Sequence, residues 1–244
     1  MSRVAVIIPC YCVEDRIQQT LTGVPSSVEL IVVVDDKSTD RTLEVARKAA
    51  DHRTIIVEHD ENRGVGAAIL SGYECALSRG ADVLVVMAGD NQMCPSDLPQ
   101  LLEPIERGQA DYVKGNRLLH PEWQKMPVLR RLGTRFLAWL TSRLSGLRIG
   151  DSQCGYTALS RKAAEQIPLS ELWPRYGYPG HLLLTLAQAG LRVSEVPVRP
   201  IYQGERSGLR PWHVLYIAGV VCARALTLKL RRLGLQSAAA EGQR

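Results

Sequence analysis

The chain is expected to be an α/β protein on a mostly parallel sheet flanked by helices, and three features predict it. Four short runs at residues 4–8 (VAVII), 30–34 (LIVVV), 54–58 (TIIVE) and 83–87 (VLVVM) are almost wholly apolar or β-branched. Strands buried on both faces have that composition. Each run ends in a polar or glycine-bearing turn followed by helical spacing, the repeat that builds parallel sheets through right-handed crossovers. At 244 residues and 45% hydrophobic content the chain can bury a full core, and 23% charged residues argues against wholesale disorder.

The elements follow in order. Pro9 closes the first run, leaving Cys10 and Tyr11 in a loop at its carboxyl end. Helical spacing over 13–21 carries Glu14 and Asp15 in the first turn, where the helix dipole favours acids. The second run enters Asp35, Asp36, Lys37, Ser38, Thr39 and Asp40 before a helix at 41–50. Asp40 suits a helix cap. Asp36 sits before the cap, and as an acceptor it suits a nucleobase edge or ribose hydroxyl, because a carboxylate repels phosphate. After the third run, residues 62–68 (NRGVGAA) fit either a phosphate cradle at a helix start or a tight turn with close packing. Gly72, inside the helix that follows, marks a close contact.

The fourth run organises the rest, because residues 83–92 read VLVVMAGDNQ. In open α/β sheets ligands bind beyond the carboxyl ends of the strands. Gly89 permits close backbone approach there, while Asp90 and Gln92 supply the oxygen ligands that Mg²⁺ or Mn²⁺ prefers. A metal–diphosphate site is the expectation. A helix capped by Ser96, a short strand at 111–114 and a turn at 115–117 come next.

Lys125, Arg130, Arg131, Arg135, Arg143 and Arg148 are then interleaved with Leu129, Leu132, Phe136, Leu137, Trp139 and Leu140. That amphipathic basic helix is either an ordinary surface helix or one facing phosphate and membrane. Asp151 lies in a polar loop between glycines, as an active-site carboxylate or as a turn residue. A helix over 178–190 precedes a last strand at 193–198, whose Pro197 indicates a sheet edge. The expected organisation is one domain over 1–210, an amphipathic helix over 211–236 and a disordered tail over 237–244.

Composition bounds the partners. A net charge of +5 and a pI near 9.0 favour acidic ligands or surfaces, and a single Phe leaves little for stacking nucleic-acid bases. Six cysteines without a repeated CxxC pair read as reduced thiols of a cytosolic protein. The uncharged segment 211–223 is shorter than the roughly 20 apolar residues a membrane span needs. The expected location is therefore cytoplasmic and peripheral on the membrane, with a homodimer as a further candidate partner.

Taken together, IIPCYCVED, VVDDKSTDRT, NRGVGAAILSGY, VVMAGDNQMCPSDLP, VKGNR, DSQCGYTALSRKA, EVPV and GERSGLR resemble glycosyltransferase family 2. The likeness is strongest to its polyprenyl-phosphate sugar synthase branch, which includes dolichyl-phosphate mannose synthase. It spans nearly the whole chain in the family's order. The resemblance implies a GT-A fold, a nucleotide-sugar donor of GDP-mannose or UDP-glucose type, and Mg²⁺ or Mn²⁺. It further implies that Pro9, Tyr11, Val34 and Asp36 contact base and ribose, with Gly89 and Asp90 beside the diphosphate and Asp90 and Gln92 on the metal. Arg117, Arg130, Arg131 and Arg135 fall where the branch gathers charge for donor diphosphate and acceptor phosphate, and Ser207 and Arg210 in a closing loop.

Three departures stand out. Cys12 and Val13 replace the family's Asn-Glu, which displaces the acid to Glu14 as a nucleotide contact. Ala88 replaces the first acid of the Asp-x-Asp motif. The transmembrane helices of longer members do not follow. The implied reaction is inverting transfer of a hexose to a polyprenyl or dolichyl phosphate. Asp90 is its catalytic carboxylate, and Asp151 is the base if the acceptor is a neutral hydroxyl. A non-catalytic nucleotide-sugar-binding homologue is the alternative from another class. PCYC after the first strand leaves no place for the glycine-rich loop of a nucleotidyltransferase or Rossmann dehydrogenase.

Overall fold

A computed structural model describes residues 2–202 and 211–241. Its first half is the expected repeat: β1 (Val4–Cys10), α1 (Ile17–Gly23), β2 (Leu30–Asp35), α2 (Thr42–Ala49), β3 (Thr54–Glu58), α3 (Val65–Ser78) and β4 (Val83–Val86). These four strands pair in parallel, with β1 between β2 and β4. Every residue of β1, β2 and β4 is buried, which explains why their sequences do not alternate. Their side chains still divide by the period of two. Ala5, Ile7, Val32 and Leu84 enter one core with α3, and Val6, Ile8, Val33 and Val85 enter another with Ile17 and Leu21 of α1.

The second half is α4 (Leu98–Glu106), β5 (Tyr112–Asn116), α5 (Val128–Ser145), β6 (Thr157–Ser160), α6 (Arg161–Gln166), α7 (Tyr178–Gln188), β7 (Val193–Pro197) and α8 (Pro211–Glu241). It completes a seven-stranded sheet in the order β3-β2-β1-β4-β6-β5-β7. β6 was not legible beforehand. It is four residues long, and it lies antiparallel between β4 and β5, so the sheet is mixed. β7 occupies the edge that Pro197 indicates.

Gly72 of α3 is the close contact expected of it, because a Cβ there would lie 2.3 Å from Ile7 Cγ2 at the centre of the sheet. Gly72→Ala is predicted to cost about 1–3 kcal/mol, the usual penalty for overpacking, measured by urea denaturation.

The carboxyl-terminal helix differs from expectation in two ways. It continues to Glu241, past the expected end at 236, and Ala238, Ala239 and Ala240 have high helix propensity. In addition, Trp212–Arg231 is long and apolar enough to cross a membrane by length and composition. One face of it packs on the protein, and 22% of that stretch is buried. Ile217 and Val221 join Leu137 of α5 and Leu184 of α7 in a third apolar cluster, and Arg224 is buried with Nη2 donating to Thr185 Oγ1 at 3.1 Å. The opposite face exposes Leu215, Leu226, Leu230 and Leu233.

Candidate active site

Strand direction decides where chemistry can gather. β1, β2, β4 and β5 run the same way and β6 runs against them, so residues after those four strands and before β6 share one rim. Along it stand Asp36 after β2, Tyr11 after β1, Asp90 and Gln92 after β4, Asp151 before β6 and Arg117 after β5. Neighbouring strands are about 4.8 Å apart, so this row spans roughly 20 Å, the scale of a nucleotide-sugar with its acceptor group. The order of strands reverses between β1 and β4, where open α/β sheets form their ligand crevice.

At the β2 end stands Asp36. Its carboxylate is 3% exposed and lies 2.7 Å from His59 Nδ1. It also accepts from the amides of Arg63 at 2.8 Å and Gly64 at 2.7 Å. These bonds clamp the start of α3 to the end of β2. The glycines of NRGVGAA are likewise packing residues. A Cβ on Gly66 would lie 2.3 Å from Trp173 O, and Ala67 N donates to Pro174 O at 3.0 Å, so this helix start is no phosphate cradle.

At the β1 end, Pro9 is spent on architecture, its carbonyl accepting from Gly89 N at 3.1 Å. Val34, opposite Pro9, is fully buried, so only its main chain could meet a ligand, and that carbonyl takes the Cys10 thiol at 3.4 Å. Tyr11 is 49% exposed on the rim. Glu14 is held by Arg41, accepting from its amide at 2.9 Å and its Nε at 3.3 Å. The displaced acid therefore braces the start of α2.

At the β4 end, a Cβ on Gly89 would lie 3.0 Å from Cys10 Cβ, so glycine lets the two strand exits lie against each other. Asp90 Oδ1 accepts from Gln92 N at 3.1 Å, around an Asn91 with φ of 57°. Both Asp90 and Gln92 are half-buried. Among the described residues, no three His, Cys, Asp or Glu cluster to hold a metal. One carboxylate and one amide oxygen nevertheless fit Mg²⁺ or Mn²⁺, hard ions that complete their shells with water and substrate phosphate.

The β5 end carries the most developed polar network. Arg117 donates from Nε to Asp151 Oδ2 at 2.8 Å and from Nη2 to Oδ1 at 3.1 Å, a bidentate pair with Asp151 fully buried. Asp151 also accepts from the amides of Arg117, Gln153 and Cys154. Burial alone would raise its pKa, but Arg117 and Lys114 outweigh that and hold it below the usual carboxylate range. The structure thus places the expected catalytic carboxylate Asp151 beneath Arg117, with both of its oxygens engaged by that side chain and by main-chain amides.

Behind this pair, Glu195 Oε1 accepts from Asp151 N at 3.0 Å. Its Oε2 accepts from Gly150 N at 2.7 Å and Asn116 Nδ2 at 3.1 Å. The buried Lys114 ammonium donates to Cys154 O, and desolvation lowers its pKa. Neither Glu195 nor Asn116 stood out beforehand. The signal was a charged residue placed inside strand-like sequence in VKGNR and EVPV, where a lone charge needs a buried partner.

The arginines of α5 are held by aromatic faces. Arg131 and Arg135 lie 5.0 Å and 5.9 Å from the Trp123 ring centroid, and Arg130 lies 5.0 Å from that of Tyr202. Tyr202 Oη also accepts from Arg117 Nη1 at 3.4 Å, which joins Arg130 to the rim. Trp123 and Tyr202 were missed because no local pattern marks a ring as a guanidinium support. Beside these arginines, Val128, Leu129, Leu132, Phe136 and Trp139 are exposed. Ser207 and Arg210 lie outside the described residues.

Comparison with known proteins agrees with this geometry. The family profile described as "Glycosyl transferase family 2" matches residues 5–167. The chain is 29% identical to the UDP-N-acetylglucosamine–dolichyl-phosphate N-acetylglucosaminyltransferase of Methanococcus voltae, over 93% of this chain and 96% of that protein. It is 32% identical to the undecaprenyl-phosphate mannosyltransferase of Micrococcus luteus, covering 80% of this chain and 82% of that one. Among solved structures, glucosyl-3-phosphoglycerate synthase from Mycobacterium tuberculosis, in complex with Mn²⁺, UDP-glucose and phosphoglyceric acid, superposes with a TM-score of 0.70. At 20% identity over 92% of this chain and 80% of that one, this likeness establishes a GT-A-type fold. With the profile spanning most of the sheet and every rim segment from Tyr11 to Asp151, the chain belongs to glycosyl transferase family 2.

Proposed function

We propose that the chain transfers a hexose, with inversion, from a GDP-mannose- or UDP-glucose-type donor to a polyprenyl or dolichyl phosphate. The observation that carries this reading is the row of guanidiniums at the β5 end of the rim: Arg117 locked by Asp151, with Arg130 joined to it through Tyr202. Arg131 and Arg135 extend the charge along α5. A phosphate acceptor is already ionised near neutral pH and requires no base, so catalysis reduces to holding two anions together. That requirement matches a site whose buried Asp151 carboxylate is kept ionised by Arg117. The names of the relatives, which transfer sugars to dolichyl and undecaprenyl phosphate, support the same acceptor class.

In this reading Asp90 and Gln92 hold Mg²⁺ or Mn²⁺, which neutralises charge on the departing diphosphate. Arg117 orients the acceptor phosphate, and Asp151 with Glu195 keeps Arg117 from collapsing onto the donor. Tyr11 flanks the nucleoside end. The direct test is incubation with labelled GDP- and UDP-sugars, undecaprenyl or dolichyl phosphate and Mg²⁺ or Mn²⁺. Label should enter the organic phase with wild type and fall at least 100-fold with Arg117→Gln. Donor hydrolysis or transfer to water-soluble acceptors alone would refute the lipid acceptor.

The exposed apolar stripe of α5 serves, in this proposal, to seat the protein on the cytoplasmic face of a membrane, with its arginines toward anionic headgroups. All six cysteines are free, which suits a reducing compartment. Leu129→Glu with Trp139→Glu is expected to weaken binding to vesicles containing phosphatidylglycerol by about tenfold or more, from the apolar area withdrawn. Both side chains are well exposed, at 71% and 61%, so thermal stability should be unchanged. Sedimentation with vesicles measures the effect, and unchanged binding would move the membrane contact elsewhere.

A further inference from the structure

A second cleft lies between α7 and α8, and none of its lining residues belongs to the rim. It has a volume of about 450 Å³, and Trp173, His181, Tyr216, Arg224 and Thr227 are among its walls. Three polar atoms of these walls, Trp173 Nε1, His181 Nδ1 and Arg224 Nε, are buried without a hydrogen-bond partner among the described residues. Native folds leave very few such groups unpaired, and these three belong to residues that line the same cleft.

The chemistry of the walls defines that occupant. An indole N–H and a guanidinium Nε–H can only donate, so whatever fills the space must accept. Arg224 is 7% exposed. Its Nη2 is committed to Thr185 Oγ1 at 3.1 Å, and its Nη1 lies 3.5 Å from the Glu171 carboxylate. Glu171 is shared, and nearer to Arg231 at 2.8 Å, so two guanidiniums face one carboxylate and a positive charge is left over. His181 adds no charge of its own at neutral pH, because burial and then Arg224 push its pKa down to about 4. It can still present Nδ1–H as a neutral tautomer.

We propose that this cleft binds a phosphate-type oxyanion, held by Arg224, Trp173 and His181. Its source is either free phosphate or the phosphate of a lipid headgroup, since α8 exposes Leu226 and Leu230 on its outer face. The cleft is coupled to the rim through the main chain. Trp173 and Pro174 lie against Gly66 and Ala67, whose helix start is clamped by Asp36. Occupancy therefore stiffens the segment on which the β2 end of the rim rests.

Calorimetric titration of the whole chain with inorganic phosphate, and vesicle sedimentation with and without phosphatidic acid, test the assignment. Trp173→Phe keeps the ring packing and removes one donor. It should weaken binding about tenfold, as loss of a hydrogen bond to a charged group does, with an unchanged thermal midpoint without phosphate. Arg224→Gln should abolish binding, and Trp173→Phe carries the test if that variant does not fold. Trp173-dependent binding of phosphate identifies a free-ion site, and Trp173-dependent binding of phosphatidic acid alone identifies a headgroup site. Phosphate or vesicle binding indifferent to Trp173→Phe belongs to the rim or the membrane face and overturns the proposal, as does no binding at all.

Discussion

Asp151→Asn should cost about 3–5 kcal/mol of stability and most of the transfer activity, because it strands the Arg117 guanidinium beside a neutral amide. Arg117 is only 18% exposed and gives two side-chain hydrogen bonds to Asp151, which also receives three main-chain amides. An asparagine offers one acceptor oxygen to those donors and turns an N–H₂ toward the rest. The effect carries a pH signature. Since the folded pKa of Asp151 is depressed, the pair's contribution is complete above the unfolded value of about 3.9. It is lost as pH falls from there through the folded value. Denaturation of wild type and variant should therefore differ by a constant amount between pH 5 and 8 and converge in stronger acid. If Asp151 instead served as the base for a hydroxyl acceptor, the wild type would transfer label to water-soluble hydroxyl compounds and the variant would lose that transfer.

That prediction turns on a residue whose role the sequence left open. Nothing local distinguishes a loop aspartate that meets substrate from one buried under an arginine 34 positions away; only the insertion of β6 between β4 and β5 brings the two together. β6 itself was hidden because four residues, TALS, carry too little pattern to be read. The parallel half of the sheet was legible for the opposite reason. VAVII, LIVVV and VLVVM are continuous apolar runs, and each ends where a turn residue breaks it. Gly72 was legible as a close contact because a helix-interior glycine needs a steric reason. Asp36 and Glu14 show the limit of this reading. Carboxylates at a strand's carboxyl end serve ligands or clamp neighbouring helix starts with equal local sequence, and the choice depends on which amides the fold delivers.

Asp90→Asn is expected to lower transfer by about 10²–10³ while leaving the fold intact, the scale of losing one preorganised charge contact to the reacting groups. The substitution separates two roles. Asp90 Oδ1 shapes its turn by accepting from Gln92 N, and asparagine retains that acceptor. What it removes is the negative charge. With Ala88 where the family resemblance implies an acid, and no acidic cluster among the described residues, that charge has no substitute at the β4 exit. Activity of the wild type should therefore rise with Mn²⁺ or Mg²⁺ and vanish in EDTA, and Asp90→Asn should need far more ion to reach a much lower plateau. Gln92→Ala should shift the ion requirement less, because an amide oxygen is a weaker ligand than a carboxylate. A thermal midpoint equal to wild type in Asp90→Asn would exclude misfolding as the cause. Full activity in EDTA would transfer the neutralising role to the arginines of α5, since the departing diphosphate must meet positive charge from one side of the rim or the other.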